Sequence, residues 1–229
     1  MHQKRTSSVG FAALKLDMEK AFDKVEWSFV LAILKHFGFS DKWINLINKC
    51  ISTPTFSILI NGFPVGHFKS NRGLRQGDSI SPFLFILVTD VLSRLILQKE
   101  AGDLFNGIKI AWNCSAISHL MFANDLVVFS HASHSDLEAI QDCLNQFYDW
   151  SGLSINHRKS SISFSPNVPQ SSRIAFCSHI GLKLFDPQAI YLGLPLHIKC
   201  GQASSFNTII EKINNWVAGW KGKVLSQAG

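Results

Sequence analysis

The chain has 229 residues, of which 46% are hydrophobic and 17% charged, so a disordered chain is excluded and one large domain, or one and a half, is expected. Lysine and arginine outnumber aspartate and glutamate by 22 to 16, and the net charge of +6 favours an anionic partner. Five scattered cysteines without a CxxC pair predict reduced thiols in an intracellular protein, not a disulfide framework or a zinc site. We expect no signal peptide and no membrane span, because no apolar run approaches about 20 residues.

The first structured element is predicted to be a buried strand that ends in a carboxylate. Residues 1–10 are polar and basic and are expected to form a disordered lead-in, after which the mostly apolar run Phe11–Leu16 ends at Asp17. A buried aspartate is costly unless it is paired or metal-bound, which suggests a functional position. The alternative is that Asp17 caps the following helix. Apolar residues at helical spacing from Trp27 onward then predict a helix that ends at Gly38.

The middle of the chain predicts a hairpin, a glycine-rich loop and a core helix. Asn61-Gly62 lies between two apolar runs and is a strong hairpin signal. The loop Arg72–Asp78 carries two arginines and two glycines, and Ser81-Pro82 then predicts the N-cap and first residue of a helix that is apolar on most faces. Such a loop at a helix N-terminus can approach a phosphate closely, although surface loops of this composition are common.

A second carboxylate lies at the tip of a predicted hairpin. Two strand-forming runs within Ser118–Ser130 flank Ala123-Asn124-Asp125, and a plain surface turn is the alternative interpretation. Ser135–Glu138 fits a capping box that opens an amphipathic helix ending at Gly152. Ser161–Phe164 alternates as a short strand does.

The C-terminal part is predicted to be a separate region. Prolines and serines near residues 166–190 suggest a looser joint, and Tyr191–Leu196 is typical of a short edge hairpin because proline is excluded from central strands. A last amphipathic helix is predicted from Phe206, Ile209, Ile210, Ile213, Trp216, Val217 and Trp220. The predicted fold is α+β, an antiparallel sheet with helices packed on one face.

Five stretches in this order together resemble the reverse transcriptases of non-LTR, LINE-type retrotransposons, especially those of plants. Lys15–Trp27 resembles motif A of that family, Asn71–Phe85 motif B, Phe122–Asp125 motif C, Gly152–Lys159 motif D and Tyr191–Leu196 motif E. The resemblance covers nearly the whole chain. It implies a polymerase palm over 11–165, and a linker, primer-grip hairpin and the start of a helical thumb over 166–229.

The resemblance also implies a reaction and a set of roles. The reaction is RNA-directed DNA synthesis on an RNA template and a DNA primer, from deoxynucleoside triphosphates, with two Mg²⁺ ions. Asp17, the backbone carbonyl of Met18, and Asp125 would bind metal, and Lys159 would be a proton donor near the leaving pyrophosphate. The residues implied to contact the incoming nucleotide or template are Phe22, Arg72, Arg75, Gln76 and Gly77. The implied primer grip is Tyr191, Leu192, Gly193, Leu194 and Pro195.

Three departures from the family qualify this expectation. Asn124 stands where the family has a metal-binding aspartate, Ser79 stands where it usually has proline, and the chain begins just before motif A, so the fingers motifs do not precede it. The leading hypothesis is therefore a truncated, impaired reverse transcriptase. The alternatives are a catalytically inactive nucleic-acid-binding remnant and another palm-type nucleotidyl transferase, such as an intron maturase. The context of Trp27 and Tyr191–Pro195 argues against the maturase.

Overall fold

The computed structural model divides the chain into two compact units, Met1–Leu184 and Phe185–Gly229, and each is described by itself. The described residues are 10–109, 111, 113–185, 190–191, 194–195 and 207–224. Residues 1–9 of the predicted lead-in, and Leu192 and Gly193 of the predicted primer grip, lie outside them.

The first unit is an α+β arrangement, as predicted. Its strands are β1 (Phe11–Asp17), β2 (Thr55–Ile60), β3 (Phe63–Lys69), β4 (His119–Phe122), β5 (Asp125–His131), β6 (Ser161–Phe164) and β7 (Lys183–Leu184). Its helices are α1 (Ala21–Lys24), α2 (Trp27–His36), α3 (Asp41–Ser52), α4 (Ser81–Ala101), α5 (His134–Ser151) and α6 (Gln170–Ile180). Within the described residues, five strands form one sheet in the order β4-β5-β1-β6-β7, antiparallel except for the β6–β7 pair.

The central strand β1 separates a core face from an open face of this sheet. Ala12, Leu14 and Leu16 are at most 1% exposed and belong to the hydrophobic core. Side chains alternate between the two faces of a strand, so Lys15 and Asp17 lie on the face opposite to these three residues. The alternation therefore keeps the β1 carboxylate out of the hydrophobic core although Asp17 itself is only 8% exposed.

Helix α4 is the central core helix, as predicted, but its start differs from the prediction. Ile80 is the N-cap residue and its N–H bonds the carboxylate of Asp78 at 3.3 Å, so Ser81 lies inside the first turn and its side chain does not cap. Among the described helices, α4 has the length and composition of a membrane span, contrary to the expectation that no stretch comes near this length. A mostly buried core helix of a soluble protein meets the same criteria, so this observation is weak support for a span.

The capping box of helix α5 lies two residues before the predicted one. Ser133 Oγ accepts the N–H of Asp136 at 3.1 Å and bonds the Asp136 carboxylate at 2.5 Å, so the Ser135–Glu138 assignment was wrong. Leu137 and Ile140 can then face the core, where both are at most 2% exposed. The helix ends at Gly152 as predicted, with φ of 73°.

The β2–β3 hairpin forms around the predicted turn. Asn61 and Gly62 have φ of 51° and 83°, and two consecutive positive φ values are what a type I′ hairpin turn requires. Ile58, Leu59 and Phe63 near the tip are each at least 60% exposed.

Residues 166–184, predicted to lie in a linker, belong to the first unit instead. They contain α6 and β7, and β7 extends the sheet by pairing in parallel with β6. In the second unit, the short strands β8 (Ile190–Tyr191) and β9 (Leu194–Pro195) pair antiparallel as predicted, and α7 (Asn207–Val224) is the predicted last helix.

Candidate polymerase active site

Two neighbouring strands bring two carboxylates to the same edge of the sheet. Asp17 ends β1, Asp125 begins β5, and the two residues are direct partners in the antiparallel register. Directly opposed residues point to the same face of a sheet, so both carboxylates lie on the open face. The register therefore brings together the two carboxylates that the resemblance assigned to metal binding, whereas the catalytic roles of these residues stay predictions.

Asn124 is joined to this pair by the turn between β4 and β5. The turn consists of Ala123, with φ of 52°, and Asn124. Asn124 Nδ2 donates to Asp17 Oδ1 at 3.1 Å, and the Met18 N–H donates to the Asn124 carbonyl oxygen at 3.3 Å. The amide of Asn124 therefore binds one oxygen of the Asp17 carboxylate. The family has a third carboxylate in the place of this amide.

The segment between α5 and β6 closes the other side of Asp17. The Asn156 N–H donates to the Asp17 carbonyl oxygen at 2.8 Å, and the Asp17 N–H donates to Ser160 Oγ at 3.0 Å. Lys159 Nζ lies 3.9 Å from Asp17 Oδ2. A cation and an amide donor therefore lie at the two oxygens of one buried carboxylate.

The balance of burial and charge leaves Asp17 reluctant to ionise. Burial raises the pKa of the Asp17 carboxyl, and the nearby charge of Asp125 raises it further. Lys159, Lys15 and a hydrogen bond from Asn156 oppose this shift but do not cancel it. An added cation would favour the ionised form, as a metal-binding carboxylate requires.

The donor set fits a divalent cation but falls short of the family pattern. Mg²⁺ prefers anionic oxygen ligands, and Asp17 and Asp125 supply two of them on one face. Asn124 contributes an amide with no charge. Within the described part of the chain, no cluster of three or more histidine, cysteine, aspartate or glutamate side chains could hold a metal ion.

The motif B loop is anchored by backbone contacts to the segment after β1. The Gly73 N–H donates to the Val25 carbonyl at 2.8 Å, the Leu74 N–H to the Phe22 carbonyl at 2.6 Å, and Trp27 Nε1 to the Gly73 carbonyl at 2.6 Å. Gly73 has φ of 92°, and a Cβ there would lie 2.6 Å from a backbone oxygen. Glycine is required because both the conformation and the close approach exclude a side chain.

The loop borders a pocket of about 540 Å³ that contains most of the predicted nucleotide-contacting residues. Arg72 pairs with Glu26 at 3.5 Å. Gln76 Nε2 donates to an Asp23 carboxylate oxygen at 3.4 Å, and Arg75 is exposed on the same lining. The pocket is thus lined by charges of both signs.

Ser81 also lines this pocket, and its importance was missed in the sequence. It is 1% exposed, and its hydroxyl has no hydrogen-bond partner among the described residues. A buried unpaired hydroxyl costs free energy, and a ligand atom in the pocket would offset this cost by bonding it. The Ser-Pro pair gave only a capping signal, because sequence spacing does not show whether a hydroxyl is paired.

The remaining residues that were predicted to contact the nucleotide or the primer have no hydrogen bond that points to such a role among the described residues. Phe22 is half-buried and stacks on Phe85 with ring centroids 4.6 Å apart, so it lies at the border of the core. Gly77 has φ of 86° with open space around a hypothetical Cβ. Tyr191, Leu194 and Pro195 form the β8–β9 pairing of the second unit.

The fold and the paired carboxylates define a polymerase palm. The family model for reverse transcriptase (RNA-dependent DNA polymerase) matches residues 3–196, so the chain belongs to the reverse transcriptase family. Two telomerase structures with a fragment of telomeric RNA share the fold, one from Candida tropicalis (TM-score 0.56, 14% identity) and one from Candida albicans (TM-score 0.57, 13% identity). They cover 88% and 90% of this chain, which covers 31% and 34% of theirs.

Two of the relatives in sequence are proteins of non-LTR retrotransposons. The chain is 26% identical over its whole length to a 149 kDa protein of the transposon TX1 of Xenopus laevis, and 29% identical over 63% of its length to the Pol polyprotein of the R2 element of Drosophila melanogaster. It covers 17% and 13% of these proteins. An uncharacterized mitochondrial protein of Arabidopsis thaliana is 48% identical over 29% of the chain, which covers 55% of it. This chain is therefore similar to the reverse transcriptase domain of non-LTR retrotransposon proteins and spans a minor part of the TX1 and R2 proteins.

Proposed function

We propose that this chain is the palm and partial thumb of a plant LINE-type reverse transcriptase, impaired by Asn124. The 48% identity to an Arabidopsis protein supports the plant origin. The observation that carries the impairment is the 3.1 Å hydrogen bond from Asn124 Nδ2 to Asp17 Oδ1. A hydrogen-bond donor thus lies at one oxygen of the carboxylate that would bind metal ions, where the family has an anionic ligand.

The proposed roles follow from the chemistry of phosphoryl transfer. Two Mg²⁺ ions would stabilise the attacking and leaving oxygens of an in-line displacement. Asp17, Asp125 and the Met18 carbonyl would hold them. Lys159 would give a proton to the leaving group. Two observations support this role: its Nζ lies 3.9 Å from Asp17 Oδ2, and its side chain is 71% exposed and can therefore approach a substrate.

The pocket beside the motif B loop would hold the template and the incoming deoxynucleoside triphosphate. Arg72 and Arg75 offer guanidinium donors for phosphate oxygens, and Ser81 offers a buried hydroxyl at a helix N-terminus. Gln76 would position the nucleotide, and Phe22 would limit space beneath its sugar. In the second unit, Tyr191–Pro195 would grip the primer.

The second candidate function is a catalytically inactive nucleic-acid-binding remnant of the same domain. Its support is the pair of contacts that neutralise Asp17, together with the two-carboxylate donor set. Such a protein would bind a primer–template duplex with little sequence preference, and the affinity would fall steeply with salt because phosphate contacts release counterions. Like the enzyme, it would be intracellular.

Primer extension distinguishes the two. Two proteins are tested: the chain alone, and the chain fused behind the fingers segment of a family member. Each is made with Asn124 and with the substitution Asn124→Asp. Synthesis is measured on an RNA template with Mg²⁺ and with Mn²⁺. We expect the Asn124 proteins to be inactive or at least about a hundredfold slower than the Asn124→Asp fusion, since each ~1.4 kcal/mol of lost transition-state stabilisation costs tenfold in rate. Robust synthesis by the unmodified chain with Mg²⁺ would falsify the impairment, and inactivity of every protein, with binding retained, would favour the remnant.

A further inference from the structure

Two exposed aromatic residues lie at the junction of α2 and α3, on elements that contribute no side chain to the carboxylate site. Phe39 and Trp43 are 40% and 48% exposed, and Leu46 on the next turn of α3 is 48% exposed. We call these three residues, together with Lys35, Lys42 and Lys49, the α3 patch.

Packing of α3 does not account for this exposure. Its core-facing side is formed by Ile47 and Ile51, which are 4% and 8% exposed. Lys42, Leu46 and Lys49 follow one another at i, i+4 and i+7, which places them together on the opposite side of the helix. Lys42, Trp43, Leu46 and Lys49 line one surface depression, and apolar residues that are exposed together in this way are a feature of contact sites.

The charges in the segment 35–49 are mainly positive. Lys35, Lys42 and Lys49 are exposed and form no salt bridge among the described residues, whereas Asp41 is the one carboxylate in the segment 35–49. Asp41 lies in the first turn of α3, where the helix dipole favours a negative charge. The three lysines are therefore free to contact an external anion.

The rings themselves differ in availability. The guanidinium of Arg94 lies 5.6 Å from the centre of the Phe37 ring, so one face of that neighbouring ring is already covered. Phe39 and Trp43 have no ring or cation partner among the described residues. These two rings offer the open faces on which a planar group could stack.

We propose that the α3 patch is a second nucleic-acid-binding surface, which takes a single-stranded segment by stacking bases on Phe39 and Trp43 while the lysines contact its phosphates. Base stacking on aromatic rings along a basic surface is how single strands are bound without sequence preference. The lysines favour nucleic acid over a protein partner, because protein interfaces are depleted in lysine. This surface would act on single-stranded template or product outside the polymerase site, and it does not depend on catalysis.

The test measures binding of a fluorescently labelled, uridine-only single-stranded RNA to the whole chain by anisotropy. We expect the double substitution Phe39→Ala and Trp43→Ala to weaken binding at least about fivefold, the equivalent of one lost base stack. Trp150→Ala is the matched control, because Trp150 is 45% exposed on a different helix, α5. Its affinity should equal that of the unmodified chain.

A second variant keeps the apolar residues intact. Lys42→Glu with Lys49→Glu should weaken RNA binding and reduce the slope of log affinity against log salt by about 0.7 for each phosphate that the protein no longer neutralises. Lys109→Glu with Lys183→Glu is the charge-matched control, since both lysines are exposed elsewhere. This pair decides the question if the aromatic variant does not fold, as judged by thermal unfolding.

Two results would overturn the proposal. One is an RNA affinity that the α3 patch variants change no more than their controls do. The other is a change in self-association by sedimentation, with RNA binding unaffected, which would make the patch an interface between protein chains. Because the readout is single-strand binding without synthesis, an inactive polymerase site leaves the result interpretable.

Discussion

Replacing Asn124 by aspartate should destabilise the metal-free protein. Asn124 Nδ2 now donates to Asp17 Oδ1 at 3.1 Å, and Asp125 faces Asp17 across the β1–β5 register. Asn124→Asp removes that donor and adds a third carboxylate to the same edge of the sheet. Without a cation, the native state must either hold the charges together or take up a proton.

The magnitude follows from the distance. Two unit charges 3.1 Å apart, the present Nδ2–Oδ1 separation, repel by about 1 kcal/mol in water and about 5 kcal/mol at an effective dielectric constant near 20. Uptake of a proton by the coupled carboxylates limits the loss, so we expect about 1–3 kcal/mol near neutral pH. For a domain of this size that lowers Tm by roughly 2–12 °C.

The loss should depend on pH in a defined direction. Like-charge repulsion raises the pKa of the Asp17 carboxyl further above its ordinary value of 3.8. A raised native-state pKa means that the native state binds more protons than the unfolded chain, so stability is lost as pH rises through that pKa. Below about pH 3.8 the unmodified and substituted chains should therefore converge.

Thermal unfolding in EDTA, Mg²⁺ and Mn²⁺ measures the effect. Asn61→Asp is the control, because Asn61 occupies the exposed turn of the β2–β3 hairpin. Mg²⁺ should raise the Tm of Asn124→Asp more than that of the unmodified chain, and the gain reaches about 2.7 kcal/mol at a hundredfold excess over Kd. Equal Tm values for Asn124→Asp and Asn61→Asp in EDTA, or no extra gain from Mg²⁺, would refute the electrostatic argument.

Three further predictions test other parts of the structure by the same unfolding measurement. Asp17→Asn should raise the stability of the metal-free chain near neutral pH and leave it unchanged below about pH 3.8, because it removes a carboxyl whose pKa is raised in the native state. A gain in stability that persists at low pH would contradict this explanation. Gly73→Ala should lower the free energy of unfolding by at least about 2 kcal/mol, since a Cβ would lie 2.6 Å from a backbone oxygen. Gly77→Ala has a similar φ but open space around it, and should lower the free energy of unfolding by about 1 kcal/mol. Equal losses would exclude the steric cause. Ser81→Ala and Ser130→Ala should each leave stability unchanged or raise it by about 1 kcal/mol, because both hydroxyls are buried without partners among the described residues. Only Ser81→Ala should weaken primer–template binding. Equal binding by the two variants would argue against a ligand at Ser81.

The sequence alone determined the features that depend on neighbouring residues. The apolar run Phe11–Leu16 predicted a buried strand that delivers Asp17, and Asn61-Gly62 predicted the β2–β3 turn, because both signals lie in consecutive residues. Gly38 and Gly152 marked helix ends for the same reason, since each adopts a positive φ that other residues avoid. The order of the motifs then indicated a reverse transcriptase, and the match over residues 3–196 confirmed that family.

Only the tertiary structure decided how these elements meet. Asp17 and Asn124 are 107 residues apart, and their hydrogen bond exists because the β1–β5 register brings the end of one strand beside the start of the other. The local pattern predicted that α5 begins with a capping box at Ser135, but Ser133 is the N-cap, and the burial of Leu137 accompanies this start. Residues 166–184 looked like a linker by composition, yet β7 completes the sheet, because backbone pairing with a distant strand needs no side-chain signal.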